Sequence, residues 1–282
     1  MLAGMRIEFV KMQGLGNDFL VFDAPSASAG RGPDAAQFRA LADRHTGIGF
    51  DQALMLEAPR ADGERAFYRI FNSDGSEVEQ CGNGARCVAA LLFAREPALG
   101  PELELGSPGG RVHARILEGG LVSVDMGVPN FEPGAVPLDA AGEAPFYTFD
   151  VDGARVDLGA VSMGNPHAVL RVGDVATAPV GSLGPALERH ARFPRRANVG
   201  FMEIVDRGGI RLRVFERGAG ETRACGTGAC AAVAVGRRQA LLDADVAVDL
   251  PGGRARVSWP GPGAHIWLTG PATRVFTGSI EL

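Results

Sequence analysis

The chain writes one supersecondary unit twice. Arg69-Ile70-Phe71-Asn72 leads into Cys81-Gly82-Asn83-Gly84-Ala85, and Arg213-Val214-Phe215-Glu216 leads into Cys225-Gly226-Thr227-Gly228-Ala229. The spacing from arginine to cysteine is the same in both copies, from Arg69 to Cys81 and from Arg213 to Cys225. An alanine-rich apolar stretch follows each cysteine motif. Gly16-Asn17-Asp18 and Gly164-Asn165-Pro166 add a looser echo earlier in each half. Self-similarity of this kind marks duplicated structural units. It predicts two similar domains in a chain of 282 residues, a length that suits two medium domains better than one.

Local patterns fill in the units. Arg6 to Lys11 reads as a strand, followed by a glycine-rich turn from Gly14 to Asp18. Residues 34–44 suggest a short helix with Asp34 as N-cap after Pro33. Phe67 to Asn72 reads as a strand and Ser73 to Gly75 as a turn. Arg86 to Arg95 should be helix, ended by Pro97. Strands broken by Gly-Pro and Gly-Gly turns occupy 100–125, and Gly127-Val128-Pro129-Asn130 reads as a linker. Strands then return near 147–157, 167–172 and 200–215, with helices near 183–192 and 228–242 and an alternating, strand-like tail over 246–280. Forty glycines and eighteen prolines agree with many turns and a strand-rich fold. With only 7% aromatics, Val, Leu, Ile and Ala must fill most of the core.

Composition excludes several functions. The net charge is −5 with no basic block, so the electrostatic footprint of a nucleic-acid binder is missing. No apolar run is long enough to span a bilayer. Met1 to Val10 contains Glu8 and lacks a signal-peptide layout, which makes a cytoplasmic protein with reduced thiols the expectation. Lys11 is the only lysine, so a pyridoxal phosphate enzyme would have to form its Schiff base there. No complete Gly-x-Gly-x-x-Gly motif supports a dinucleotide. No Cys-x-x-Cys pair or His cluster has metal-ligand spacing.

A duplicated cysteine at a helix start suits one reaction in particular. Inverting a carbon requires a base on one face and an acid on the other, with exchanged roles in reverse. Two equivalent thiols, Cys81 and Cys225, meet that need. The Gly-X-Gly after each leaves backbone N–H groups at a helix N-terminus, where anions such as an α-carboxylate bind. Charge builds on that carboxylate as the proton leaves, and one oxyanion-type donor is typically worth about 3–4 kcal/mol. A helix start also favours thiolate. One thiolate and one thiol are needed, and their titrations would be coupled. A lone cysteine is most often a small buried hydrophobe, which is the reading for Cys87 and Cys230. A reversible disulfide between Cys81 and Cys225, as in a redox sensor, is the alternative from another class.

Several stretches resemble diaminopimelate epimerases. They are Lys11 to Phe19, Asn72-Ser73-Asp74-Gly75-Ser76, Cys81 to Cys87, Met163 to Ala168, Asn198-Val199-Gly200-Phe201, and Glu216-Arg217-Gly218 running into Ala224 to Cys230. The resemblance implies an α+β fold of two pseudo-symmetric domains, each a set of strands wrapped around a central helix. Residues 1–127 with 271–282 form the first and 128–270 the second. It implies interconversion of LL- and meso-diaminopimelate without pyridoxal, metal or other cofactor, in lysine and cell-wall precursor synthesis. By position it assigns substrate contacts to Asn17, Gln52, Asn72, Asn165 and Asn198. A backbone cradle for the reacting carboxylate falls to Gly82, Asn83, Gly226 and Thr227. Glu216 and Arg217 are assigned to the substrate's far ammonium and carboxylate, with His167 and Glu216 supporting catalysis. A proline or hydroxyproline racemase is the nearest rival, and the Glu216-Arg217 pair favours the longer, two-headed substrate. The resemblance also implies a homodimer, although Phe276 stands where the family often has tyrosine.

Overall fold

A computed structural model describes residues 6–24 and 32–282; the first five residues of the Met1 to Val10 segment lie outside it. Contacts divide the chain into two units. The first holds the described residues up to Val124 together with Gly270–Leu282, and the second holds Asp125–Thr269.

The first unit opens with a hairpin of β1 (Arg6–Gly14) and β2 (Asn17–Asp23). Its two-residue turn has Leu15 at φ 58° and Gly16 at φ 79°, the double positive φ of a type I′ turn. The Gln13 side-chain oxygen accepts the Gly16 N–H at 3.0 Å. Helix α1 (Ala35–Ala42) follows, with Asp34 as the N-cap expected from its sequence and Gln37 completing a capping box. Strand β3 (Gln52–Glu57) runs parallel to β2, and β4 (Ala66–Asn72) returns antiparallel to β3. A tight hairpin to β5 (Glu77–Val78) delivers the chain to α2 (Gly82–Arg95). Strand β6 (Glu102–Ser107) then lies parallel to β4, followed by the antiparallel β7 (Gly110–Ile116) and β8 (Leu121–Asp125).

The second unit repeats this order. It begins with β9 (Tyr147–Val151), then β10 (Ala154–Ser162) and β11 (Pro166–Val172) as an antiparallel hairpin, and α3 (Val180–Glu188). Strand β12 (Asn198–Asp206) is parallel to β11, and β13 (Gly209–Glu216) is antiparallel to β12. A hairpin to β14 (Gly220–Thr222) leads into α4 (Gly226–Arg238). Strand β15 (Asp245–Leu250) lies parallel to β13, and β16 (Gly253–Ser258) and β17 (Trp267–Pro271) complete the meander. The last strand, β18 (Thr273–Glu281), pairs antiparallel with β1, as β9 pairs antiparallel with β10.

The repeat extends to side chains. In the first unit Phe71 opposes Glu77, and Arg69 donates to both Glu77 carboxylate oxygens at 2.7 Å. In the second, Phe215 opposes Glu221, and Arg213 donates to both Glu221 oxygens at 2.6 and 2.9 Å. These bidentate pairs pin the hairpin that precedes each cysteine.

The two helices α2 and α4 are buried on nearly every side through their first three turns. That suits an alanine- and glycine-rich sequence, since small side chains let the surrounding strands close on the backbone. A Cβ at Gly84 would meet Leu54 Cδ2 at 3.1 Å. Strand alternation puts Leu20, Ala53 and Met55 in a cluster with Phe38 and Leu41 of α1. Full burial of each of the larger of these side chains contributes roughly 1.5–3 kcal/mol. Among the described residues no helix is long and apolar enough to cross a membrane.

Several boundaries differ from the sequence reading. Helices α2 and α4 start at Gly82 and Gly226, directly after cysteines in extended conformation, so Cys81 and Cys225 are themselves the N-caps. Helix α4 ends at Arg238, not 242, because Ala240 adopts φ 59° and Leu241 N–H bonds back to Gly236 O at 2.9 Å. Helix α3 spans Val180–Glu188, earlier than 183–192, and stops where the buried Glu188 carboxylate accepts the Gly218 N–H at 2.9 Å. Lys11 sits within β1, which continues to Gly14, and its ammonium is buried against Asp18 at 2.5 Å.

Candidate active site

Each unit gathers polar side chains around its own cysteine. In the first, Cys81 caps α2, and the ladder begins with Ala85 N–H to Cys81 O at 2.9 Å. The N–H groups of Gly82 and Asn83 therefore precede the intrahelical ladder. The Cys81 thiol approaches Asn17 Oδ1 at 3.9 Å, and Asn83 Nδ2 donates to the same oxygen at 3.3 Å. Asn17 reaches this place because it opens β2 immediately after the hairpin turn. Its Nδ2 donates to Asp51 Oδ2 at 2.9 Å. Asp51 is bound by Arg44 at 2.7 Å, and Arg44 also holds Asp18 through a pair of bonds. Burial alone would raise the Asp18 carboxyl, but Arg44 and Lys11 together hold it well below its ordinary value. Gln52 Nε2 donates to Asn72 Oδ1 at 3.0 Å across β3 and β4, and Asn72 Nδ2 donates to Ser76 Oγ at 3.1 Å.

In the second unit Cys225 caps α4, with Ala229 N–H bonded to Cys225 O at 2.9 Å. The same cradle arises here from Gly226 and Thr227. The thiol points at Glu216 Oε2 at 3.2 Å, and Thr222 Oγ1 donates to Glu216 Oε1 at 2.5 Å. Cys225 Sγ also lies 3.6 Å from Thr227 Oγ1, which accepts from Asn165 Nδ2 at 3.4 Å. His167 Nε2 is 3.0 Å from Asn165 Oδ1. Asn198 donates to Pro166 O at 3.1 Å and accepts the Arg217 N–H at 2.9 Å. Arg217 sends its guanidinium to Arg195 O at 3.1 Å.

Near Cys225, two ionisations depart from their ordinary values for clear reasons. Burial, and then the Arg217 charge, push His167 down to about 3. It is a neutral imidazole, and with Nε2 facing the Asn165 oxygen it is a hydrogen-bond donor. Burial, and then the Glu216 carboxylate, push the Cys225 thiol well above its ordinary value. This corrects the expectation that a helix start makes thiolate: at Cys225 desolvation and a facing carboxylate outweigh the helix terminus. In the repeat, Glu216 occupies the place of Asn72, so only the second unit carries this anion beside its cysteine motif.

The expected site residues divide between the two units. Asn17, Gln52, Asn72, Cys81, Gly82 and Asn83 belong to the first, and Asn165, His167, Asn198, Glu216, Arg217, Cys225, Gly226 and Thr227 to the second. Sequence reasoning passed over Asp51, Arg86 and Thr222. Only Arg86 left a signal, as a charge within an otherwise small and apolar helix. No disulfide joins the four cysteines, and Cys87 and Cys230 are fully buried in their helices. Among the described residues no group of three or more His, Cys, Asp and Glu side chains is arranged to hold a metal ion. A cavity of about 700 Å³ lies at the far end of α4, lined by Phe131, Glu143, Arg238 and Trp259. The length of the 13-residue helix, about 20 Å, separates it from Cys225.

Solved structures share this architecture. A hydroxyproline epimerase from Agrobacterium vitis superposes with a TM-score of 0.69 over 99% of this chain and 93% of its own, at 15% identity. Methylitaconate-delta-isomerase gives 0.65 over 99% and 96%, at 14% identity. By fold, then, the chain belongs to the architectural class of these proteins. Sequence narrows the class. The family model described as diaminopimelate epimerase matches residues 9–132 and 159–275. The diaminopimelate epimerase of Thioalkalivibrio sulfidiphilus is 54% identical over 99% of this chain and all of its own, and that of Pseudomonas syringae pv. syringae is 52% identical over the same shares. The chain belongs to the diaminopimelate epimerase family.

Proposed function

We propose that this enzyme interconverts LL- and meso-2,6-diaminopimelate, moving the α-proton between Cys81 and Cys225 with no cofactor. The observation that carries the reading is the equivalence of the two cysteines, each the N-cap of a buried helix in a duplicated unit. One thiolate removes the α-proton and the other thiol protonates the opposite face. The N–H groups of Gly82, Asn83, Gly226 and Thr227 hold the α-carboxylate and take up the charge that develops on it. Cys225, kept protonated by burial and by Glu216, is the acid of the resting enzyme, which leaves Cys81 as the base. Asn17, Gln52, Asn72, Asn165, Asn198, Glu216 and Arg217 hold the substrate's two amino-acid heads. His167 supports the reaction as a neutral donor that orients the Asn165 amide.

The same reading makes each unit an epimerase domain and places the enzyme in the cytoplasm, within lysine and peptidoglycan precursor synthesis. It includes a homodimer, supported by Val275 and Phe276 on β18, which are 55% and 47% exposed. The test is turnover in D₂O. The wild type should wash deuterium into the α-position, and Cys81→Ser and Cys225→Ser should each lose epimerisation while folding normally. Full turnover by either variant, or exclusive activity on proline, overturns the reading. Loss of activity with chelators or carbonyl reagents contradicts the absence of a cofactor.

A further inference from the structure

The guanidinium of Arg86 is buried to 0% exposure inside α2, within the same turn-and-a-half as Cys81. A charge in that position is expensive. The fold makes room for it with glycines. A Cβ at Gly14 would lie 3.3 Å from Arg86 Nη2, and one at Gly270 would lie 3.3 Å from its central carbon. The mechanism above does not use this residue.

Its contacts give it a task. Arg86 Nη2 donates to Asn83 Oδ1 at 2.8 Å. Asn83 Nδ2 donates to Asn17 Oδ1 at 3.3 Å, and Asn17 Nδ2 donates to Asp51 Oδ2 at 2.9 Å. A carboxamide has nearly equal shape at both ends, and a flip exchanges donor for acceptor. Arginine only donates, so Asn83 must turn its oxygen to it. An ionised aspartate only accepts, so Asn17 must turn its NH₂ to Asp51. A cation at one end of the chain of amides and an anion at the other thus fix both flips in the same sense. The oxygen left facing Cys81, at 3.9 Å, is Asn17 Oδ1.

We propose that Arg86 is a positioning residue of the epimerisation site: through Asn83 it fixes the orientation in which Asn17 presents its oxygen to Cys81 and both amides present their remaining donors to the substrate. The inference rests on the assignment of Cys81 to proton transfer. It assigns Arg86 no contact with substrate.

A double-mutant cycle on the full chain tests it. Arg86→Met, Asn83→Ala and the double variant are assayed for kcat/KM with LL- and with meso-diaminopimelate, and their melting temperatures are compared. Supporting partners of this kind typically change activity about 10–100-fold. Arg86→Met should therefore lower kcat/KM at least about tenfold. The double variant should fall within about twofold of Asn83→Ala alone, because residues in one hydrogen-bond network do not add. Arg86→Lys, which keeps a donor cation, should recover part of the loss. Multiplicative effects in the double variant, or unchanged kcat/KM in Arg86→Met, overturn the proposal. Should Arg86→Met not fold, Arg86→Lys completes the same cycle; if neither folds, the residue holds the fold and the proposal fails. Full turnover by Cys81→Ser would remove the Cys81 assignment alone, since the coupling between Arg86 and Asn83 is measured without reference to it.

Discussion

Gly228 is the third residue of α4, and its replacement by alanine separates alignment of a thiol from stability of the fold. A Cβ there would stand 3.2 Å from Cys225 Sγ and 3.0 Å from Val214 Cγ2. Ordinary contact between such atoms lies near 3.5–4.0 Å, so the sulfur must retreat by about 0.5 Å. A misplacement of 1 Å at a reacting atom costs on the order of 100-fold, so half that distance should cost about tenfold, or about 1.4 kcal/mol of barrier. Stability should change less. Overpacking costs typically about 1–3 kcal/mol, while alanine in a helix interior regains up to about 1 kcal/mol over glycine. A net loss of about 0–2 kcal/mol lowers the melting temperature by only a few degrees in a chain of this size. The duplicated unit supplies its own control. At the equivalent Gly84, the nearest atoms to a new Cβ belong to Leu54 and Phe19, with Leu54 Cδ2 at 3.1 Å. Gly84→Ala therefore overpacks a core without pressing on a sulfur. Initial rates of LL-to-meso conversion, followed by circular dichroism beside thermal melts, should show Gly228→Ala about tenfold slower and Gly84→Ala much less affected. Equal rates for the two variants at matched stability would refute this account of how the thiol is held.

Three further outcomes are expected. His167 binds a proton readily only when unfolded, since its ordinary value of 6.5 falls to about 3 in the fold; stability is complete above pH 6.5 and is lost toward pH 3, at up to about 1.4 kcal/mol per pH unit. Urea midpoints at pH 7 and pH 5 should therefore converge in His167→Asn relative to wild type, and an unchanged pH dependence contradicts the buried neutral imidazole. Glu216→Gln removes the carboxylate that opposes ionisation of Cys225, so iodoacetamide should alkylate Cys225 faster at pH 8 in a Cys81→Ser background; an equal rate would mean that Glu216 does not govern this thiol. Asp34→Ala breaks the capping box of α1 and should cost about 1 kcal/mol in urea unfolding, with kcat unchanged.

What could be seen in the sequence was local. The Arg-to-Cys spacing, the Asp34 cap and the strand-turn-helix order all lie within short stretches, and the pairing of β4 with β5 matches that of β13 with β14 residue for residue. The helix starts were displaced because Gly-Asn-Gly and Gly-Thr-Gly carry turn chemistry, and only tertiary enclosure makes them helical. The early stop of α4 was hidden because Ala240 takes a left-handed conformation that its residue type does not announce. The state of Cys225 depends on Glu216, which the β13–β14 hairpin carries back to the sulfur. Arg86 was passed over because an arginine in a helix normally marks a wet face. Gln52 and Asn198 drew notice only through family likeness, since a single glutamine or asparagine carries no pattern of its own.

The pairing of β18 with β1 sets the order in which this protein can be finished. The duplicated sequence unit and the folding unit are out of step: the strand that flanks β10 is made before it, whereas the strand that flanks β1 is made after every other described strand. The second unit has all its strands when synthesis reaches Pro271, while the first still waits for β18. The usual N-terminal-first sequence of events on the ribosome is therefore reversed. A chain cut just before Thr273 would keep every strand of the second unit and leave the first, Cys81 included, with β1 as an open edge.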